Sequence, residues 1–595
     1  MGNISDKAIN NASKNIVDNL GNVSDNNNMQ DMKHEISDIN KINTDNLNII
    51  KFDKRTTNKT LPLILKDKND SNPVIMDINI DQVLINSLQT DIRKIYNFIK
   101  TLGGGAFYSS RLAYKINDES KKLFVIKSFS KLNIHKDELE ILSNVLNTLP
   151  KLSHPNLIQF YETYNDKYYL HIVMEYCEGI NLLDYYKTNK HRLSESNCIK
   201  IINNLLTLTN YCQKLGIERV NLKPDNIIIL EQEKSKEVEK KDIDDIDVVD
   251  DIDDVAKENK ENKDDIEIKL FSLGFKGDSY SLRESPYKKP DYFISPEEIS
   301  NIELQPEKKE VWTIGIITYY LLGANYPFLS HGKGKGSKDN KDMYLQSQES
   351  INFSILNNKL EFPEIHFEGV SNSAIEFLNF LLNKDVDKRP TIQKCLEHKW
   401  MKPYLNKLHS SYYIRKVSSK VLANMKDKLN NNKFQNIILN YMIKYLSNDE
   451  VKKLGKAFSA IDVNNNGYIN LKQLINGFQN ANIELSKIEI EKLFESMDYD
   501  HSGFIDYNEF LVATINQKTF VNKEKLVQIF QTFDKDNVGF ISASNLKDLL
   551  LLSGKDTDES KIESIIKEVT KTSCKDKTCM ISLKEYLNLF GINLD

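Results

Sequence analysis

Residues 217–230 constrain the fold of this 595-residue chain more than any other stretch. The centre, Arg219-Val220-Asn221-Leu222-Lys223-Pro224-Asp225-Asn226, is a polar turn punctuated by proline, and it runs straight into Ile227-Ile228-Ile229-Leu230. Four consecutive aliphatic residues behind a turn read as a buried strand. Upstream, Leu102 to Ser110 carries Gly103, Gly104 and Gly105 and fits a strand-turn-strand closing over nucleotide phosphates. Phe124-Val125-Ile126-Lys127 follows as a strand, and a helical pattern then carries Glu138.

His154-Pro155-Asn156, Ile172-Val173-Met174-Glu175, Ser295-Pro296-Glu297, Val311-Trp312-Thr313-Ile314-Gly315 and Asp387-Lys388-Arg389-Pro390-Thr391 complete the series. In this order the segments resemble the eukaryotic protein kinases over residues 96–402. That resemblance implies a bilobal α+β body. It also implies a nucleotide site built from Gly103, Gly105, Lys127, Glu138, Glu175 and Asn226, with Glu297 and Arg389 as a buried brace.

The departures from the family pattern fall where its chemistry is done. In the family's H-R-D-L-x-x-x-N loop the Asp is the base and the Asn a magnesium ligand. Here Lys223 and Asn226 match, but the catalytic Asp is Asn221, and an amide takes no proton from a hydroxyl near neutral pH. Ile268 to Gly274 occupies the D-F-G strand with Ser272 in place of the metal-binding Asp. Tyr108 replaces the third glycine of the nucleotide loop, Ser110 the valine over the adenine, and Val125 the usual alanine. Phe271 adds bulk behind the site, and Lys289-Pro290 stands where Gly-Thr precedes the substrate-binding turn. Base, metal, nucleotide pocket and peptide platform are all touched. An inactive or very weak body is therefore expected, with weak ATP binding and doubtful magnesium.

Beyond the body, Leu422, Met425, Leu429, Phe434, Ile437, Ile438, Tyr441 and Tyr445 keep helical spacing from Val421 onward. Ser447-Asn448-Asp449-Glu450 is a capping box. Asp462 to Gln473 fits an EF-hand loop through Asp462, Asn464, Asn466, Gly467 and the Tyr468 carbonyl, but Gln473 replaces the bidentate Glu. Asp498 to Glu509 is complete: Asp498, Asp500, Ser502, the Phe504 carbonyl, Asp506 and Glu509 supply oxygens, and Gly503 the turn. In Asp534 to Asn545, Val538 fills a ligand position and Asn545 ends the loop; a fourth hand shows only from Ile581 to Glu585. One strong calcium site is expected, with weak or vacant loops elsewhere. Residues 96–595 together resemble the plant and apicomplexan calcium-dependent protein kinases, which implies an all-α calmodulin-like domain behind the kinase and contact between the two.

The expected domains are an Asn-rich disordered tail at 1–60, a pre-kinase segment at 61–95, the kinase-like body at 96–402, junction helices at 403–446 and EF-hands at 447–595. An acidic insertion, 231–265, reads as a solvated loop. A net charge of −5 gives no sign of nucleic-acid binding, and the six scattered cysteines suggest neither disulfides nor zinc. No apolar run spans a bilayer. Met1-Gly2 offers a myristoylation start, but Asp6 stands where Ser or Thr is wanted, so membrane contact is expected only if Gly2 is acylated. The chain reads as cytoplasmic. Three functions follow: a calcium-responsive pseudokinase scaffold or allosteric partner, whose protein partner the sequence does not name; an active Ser/Thr kinase with an atypical site; or a plain calcium-binding adaptor.

Overall fold

The computed structural model describes Leu63–Leu65 and Val74–Met76. Between residues 91 and 592 it describes everything but 105–107, 117, 119–120, 132–147, 150–151, 190–192, 218–219, 221, 231–265, 272–290, 304, 330–346, 426–432, 444–445, 447, 499–501, 516–519, 535–537, 553–558 and 571–579. The disordered-tail expectation for 1–60, the acidic insertion 231–265, Glu138, Asn221 and Ser272 lie outside the described residues.

The chain forms two units, Met1–Gln82 and Val83–Asp595. In the first, β1 (Leu63–Leu65) pairs antiparallel with β2 (Val74–Met76).

The second unit opens with an antiparallel sheet in the order β3-β4-β5-β7-β6: Tyr96–Gly104, Tyr108–Lys115, Leu123–Ser130, Tyr169–Glu175 and Phe160–Asn165. Strand β5 is central, and Phe124, Ile126, Lys127, Ser128 and Phe129 are buried on both its faces. A smaller sheet, β10-β9-β8 (Ile268–Leu270, Ile227–Leu230, Gly179–Asn181), opens the larger lobe. Its middle strand is the aliphatic run that follows the polar turn.

Two helices carry the larger lobe's core. Glu195–Lys214 starts at Ser194, whose side chain accepts from the Asn197 amide, and buries Ile201, Ile202, Leu205, Leu206 and Tyr211. Pro306–Gly323 is buried without interruption from Glu310 to Gly323, so it shows no polar face. Arg389 lies against Trp312 of that helix and grips Glu297 bidentately, Nη1 to Oε1 at 2.7 Å and Nη2 to Oε2 at 2.9 Å. Both partners are at most 2% exposed, and Arg389 holds the Glu297 carboxyl below its ordinary range despite burial. Removing one partner of such a pair leaves a charge buried alone. Arg389→Leu should lower the stability of the larger lobe by about 3–5 kcal/mol, read as an earlier unfolding midpoint in urea.

Helix pairs dominate from residue 411 onward. Ser411–Met425 starts ten residues before Val421, and its buried face begins at Ile414 and continues through Ser418, while Tyr412 on the other side is 72% exposed. Lys433–Met442 follows. Leu422, Met425, Phe434, Ile438 and Tyr441 join one apolar cluster with Phe458, Phe478, Phe494, Phe510, Phe530 and Tyr586 of the EF-hand helices. The hands pair through an Ile469–Ile505 bridge and through β11 (Phe540–Ser542) with β12 (Met580–Ser582). The fold is thus a bilobal α+β body followed by a helical EF-hand region. Among the described residues no helix is long and apolar enough to cross a membrane. The described cysteines, Cys177, Cys198, Cys212 and Cys395, are free and buried, and burial pushes each thiol up, so none is a ready nucleophile.

Candidate functional site

In the cleft under the smaller lobe, strand register sets the geometry. Ser110 of β4 lies opposite Lys127 of β5, and Tyr108 opposite Phe129. Tyr108 is therefore a diagonal neighbour of Lys127 on one face. The Lys127 ammonium sits over the Tyr108 ring, 3.8 Å from its centre, with Phe129 at 5.6 Å, and Lys127 is only 7% exposed. A cation held against an aromatic face away from water is stabilised by up to about 2 kcal/mol. Gly103 lies on β3 opposite Ser110; Gly105 is outside the described residues. Asn226 is buried at the end of the polar turn, and its carbonyl accepts from the Phe271 amide at 3.0 Å. Phe271, expected to crowd the back of the cleft, is instead 37% exposed.

Glu175 commits its side chain elsewhere. Both its carboxylate oxygens accept from Lys269 Nζ at 2.6 Å, and Oε2 also accepts from the Gln159 amide. Burial opposes the Lys269 charge, but Glu175 more than offsets this and raises its pKa. Lys269 belongs to β10, three residues before Ser272, so this ion pair ties the strand joining the lobes to the one that leads into the metal position. Any hold that Glu175 has on a nucleotide is through its backbone.

The EF-hand loops differ in how their acidic groups are used. In the second loop Asp498 Oδ1 and Oδ2 accept from the Ser502 and Gly503 amides, and Glu509 Oε2 accepts from the Asp506 amide. Asp498 and Glu509 are 6% and 1% exposed. The loop carries two buried carboxylates, Asp506, the Ser502 hydroxyl and the Phe504 carbonyl, which are oxygen donors of the kind a hard divalent cation takes. Among the described residues no three acidic, His or Cys side chains are gathered closely enough to hold a metal, and Asp500 of this loop lies outside them. In the first loop Asp462 Oδ2 accepts from the Asn466 and Gly467 amides, while Oδ1 and Gln473 Nε2 are buried and within normal hydrogen-bond distance of no partner among the described residues. Burial pushes the Asp462 carboxyl up to about 6, against the pull of those amides. Asn466 Oδ1 accepts from the Tyr468 amide, and Asn464 is exposed. In the third loop Asn545 Oδ1 is taken by the Ser542 amide and hydroxyl, and Val538 is 56% exposed.

The junction helices meet the smaller lobe at a buried carboxylate that belongs to no sequence motif. Glu162 of β6, 3% exposed, accepts from the hydroxyls of Tyr96 (2.9 Å), Tyr164 (2.6 Å) and Tyr441 (2.8 Å) and from Lys115 Nζ (3.2 Å). Lys122 Nζ donates to the Leu446 carbonyl at 3.0 Å, and burial lowers its pKa to about 8. A hydrogen bond to a charged group contributes about 1.5–3 kcal/mol. Tyr441→Phe should therefore raise amide exchange across residues 433–442 by one to two decades, about 1.4 kcal/mol per decade, while Tyr412→Phe, on an exposed ring, should leave it unchanged.

A family model for the protein kinase domain matches residues 96–401, and one for the EF-hand domain pair matches 451–514 and 523–591. The chain is 27% identical over 407 residues to calcium-dependent protein kinase 12 of Oryza sativa subsp. japonica, covering 67% of this chain and 65% of that protein. It is 27% identical over 415 residues to calcium-dependent protein kinase 29 of Arabidopsis thaliana, covering 69% and 66%. The chain thus spans just under two thirds of the length of these two relatives. It belongs to the protein kinase family and carries an EF-hand domain pair behind the kinase domain. Within this plan the described site residues fall into two groups. Gly103 and Lys127 lie on β3 and β5, each opposite Ser110 of β4, and Asn226 lies in the turn before β9, while Asp498, Ser502, Phe504, Asp506 and Glu509 belong to one loop. The Tyr108 contact with Lys127, the Lys269–Glu175 pair and the Glu162 cluster were not foreseen. Tyr108, Lys127 and Glu175 stand out in the sequence for other reasons, and Tyr441 lies on the apolar stripe of the junction; Glu162 and Lys269 carry no sequence signal.

Proposed function

We propose that this member of the family is a calcium-binding pseudokinase, a cytoplasmic scaffold or allosteric partner whose junction and EF-hand helices respond to one strong calcium site, Asp498 to Glu509. The observation that carries this reading is the Lys127 ammonium seated on the Tyr108 ring, where a nucleotide's phosphates would need it. Asn221 in place of the base and Ser272 in place of the metal carboxylate support it from the sequence. A donor set of one amide and one hydroxyl does not suit magnesium, which is held through carboxylates and phosphates. The calcium reading rests on donor count: the second loop has a full oxygen set, the first ends in Gln473 and the third in Asn545. An active kinase with an atypical site is the second reading, favoured by the retained Lys127 and the buried Asn226.

Thermal unfolding with ATP, with and without magnesium, tests the cleft. A competent site at a hundredfold excess of ligand over Kd gains about 2.7 kcal/mol. The expected result is a small shift that magnesium does not enlarge. A large magnesium-dependent shift would favour the second reading.

A further inference from the structure

The two loops of the first EF-hand pair share the Ile469–Ile505 bridge, yet their outer turns meet different surroundings. A Cβ built on Gly503 in the second loop meets no atom of the described residues within 4 Å, and Phe504 beside it is 45% exposed. At the same turn of the first loop, a Cβ on Gly467 would come within 2.5 Å of Tyr211 Cδ2. Both glycines are left-handed, with φ of +78° at Gly467 and +81° at Gly503, so the turn itself explains a glycine at each. The close approach at Gly467 is a separate demand.

Tyr211 has no room to yield. It lies near the end of Glu195–Lys214, is 1% exposed, accepts from the Ser153 amide on its hydroxyl at 2.8 Å, and packs near His154 with ring centres 5.3 Å apart. The same ring meets Tyr468 of the loop at 5.5 Å. Beside it, Asn210 Nδ2 donates to the Asn465 carbonyl at 3.0 Å. His409, just past the helix Lys402–Leu408, closes the other side. Its Nδ1 donates to the Ala460 carbonyl at 3.1 Å, which leaves Nε2 to accept from Asn465 Nδ2 at 3.3 Å.

We propose that the first EF-hand loop, Asp462 to Gln473, is a docking surface whose partner is the end of the kinase helix Glu195–Lys214, and that Gly467 sets this contact as well as the turn. The contact consists of a ring face, a bare glycine and hydrogen bonds through Asn465 and Ala460. None of these is a calcium-ligand side chain, so the docking does not depend on an ion in that loop. It stands whether or not the body transfers phosphate.

Hydrogen exchange on the full-length protein, with calcium and with a chelator, tests this. Gly467→Ala and Gly503→Ala put the same methyl at the same strained turn of two paired loops. Gly467→Ala should speed exchange in residues 208–217 by about tenfold in both conditions; Gly503→Ala should leave that segment at the wild-type rate. Asn210→Ala, which lies in the kinase helix and leaves the EF-hand fold untouched, should speed exchange in 462–473 severalfold, and it keeps the test open if Gly467→Ala unfolds the hands. Equal exchange at 208–217 in the two glycine variants, or an Asn210→Ala protein indistinguishable from wild type, overturns the proposal.

Discussion

Glu509→Gln should remove most calcium uptake from the full-length protein, while Asn545→Ala should leave it unchanged. A complete EF-hand loop binds in the sensor range, about 10⁻⁷–10⁻⁵ M, and the bidentate Glu at its end supplies two of the oxygens and a full negative charge. In the loop Asp498 to Glu509 that residue is 1% exposed, and the capping box it makes with Asp506 already places it at the start of Tyr507–Thr514. An amide there keeps the shape and loses the charge, so the affinity should fall toward ~10⁻³ M. The wild-type isotherm should show one dominant site with little cooperativity, because the paired first loop ends in Gln473. Calorimetry that counts three or four tight sites, or a Glu509→Gln protein that binds normally, would show that the donor count misleads.

Tyr108→Gly should open the nucleotide cleft. The ring lies 3.8 Å under the Lys127 ammonium, and a desolvated contact of this kind is worth up to about 2 kcal/mol. Any phosphate that recruits Lys127 must first displace it. Removing the ring, and restoring the glycine usual in the family, should raise ATP affinity by up to ~30-fold, since each 1.4 kcal/mol is about a decade. The gain should vanish in Tyr108→Gly with Lys127→Ala. Equal ATP affinity in wild type and Tyr108→Gly would mean that the ring moves aside without cost.

These two sites illustrate what could be read from the residues. The kinase body was legible because its motifs occur in order along some 300 residues, and the aliphatic run 227–230 and the Glu297–Arg389 brace lie where that order implies. The loop Asp498 to Glu509 was legible because its ligands are local, at fixed spacing. The long-range pairings were not. Lys269 and Glu175 are 94 residues apart, and Tyr441 and Glu162 are 279 apart. Nothing in either neighbourhood announces the partner, since each pair is set by tertiary packing. Tyr108 was seen as a missing glycine, but that its ring would lie on Lys127 depends on the β4–β5 register. Gly467 fits the EF-hand pattern at its place in the loop, but the approach of Tyr211 to it is set by tertiary packing.

Phosphotransfer at saturating calcium, with magnesium or manganese, comparing the full-length protein with Lys127→Ala, tests the pseudokinase reading most directly. General-base catalysis contributes typically 10²–10⁴-fold, and kinases turn over at about 1–100 per second. With Asn221 for the base and Ser272 for the metal carboxylate, the two proteins should incorporate phosphate equally, at background. Incorporation that rises with calcium and is lost in Lys127→Ala would contradict the reading and make this chain an active kinase.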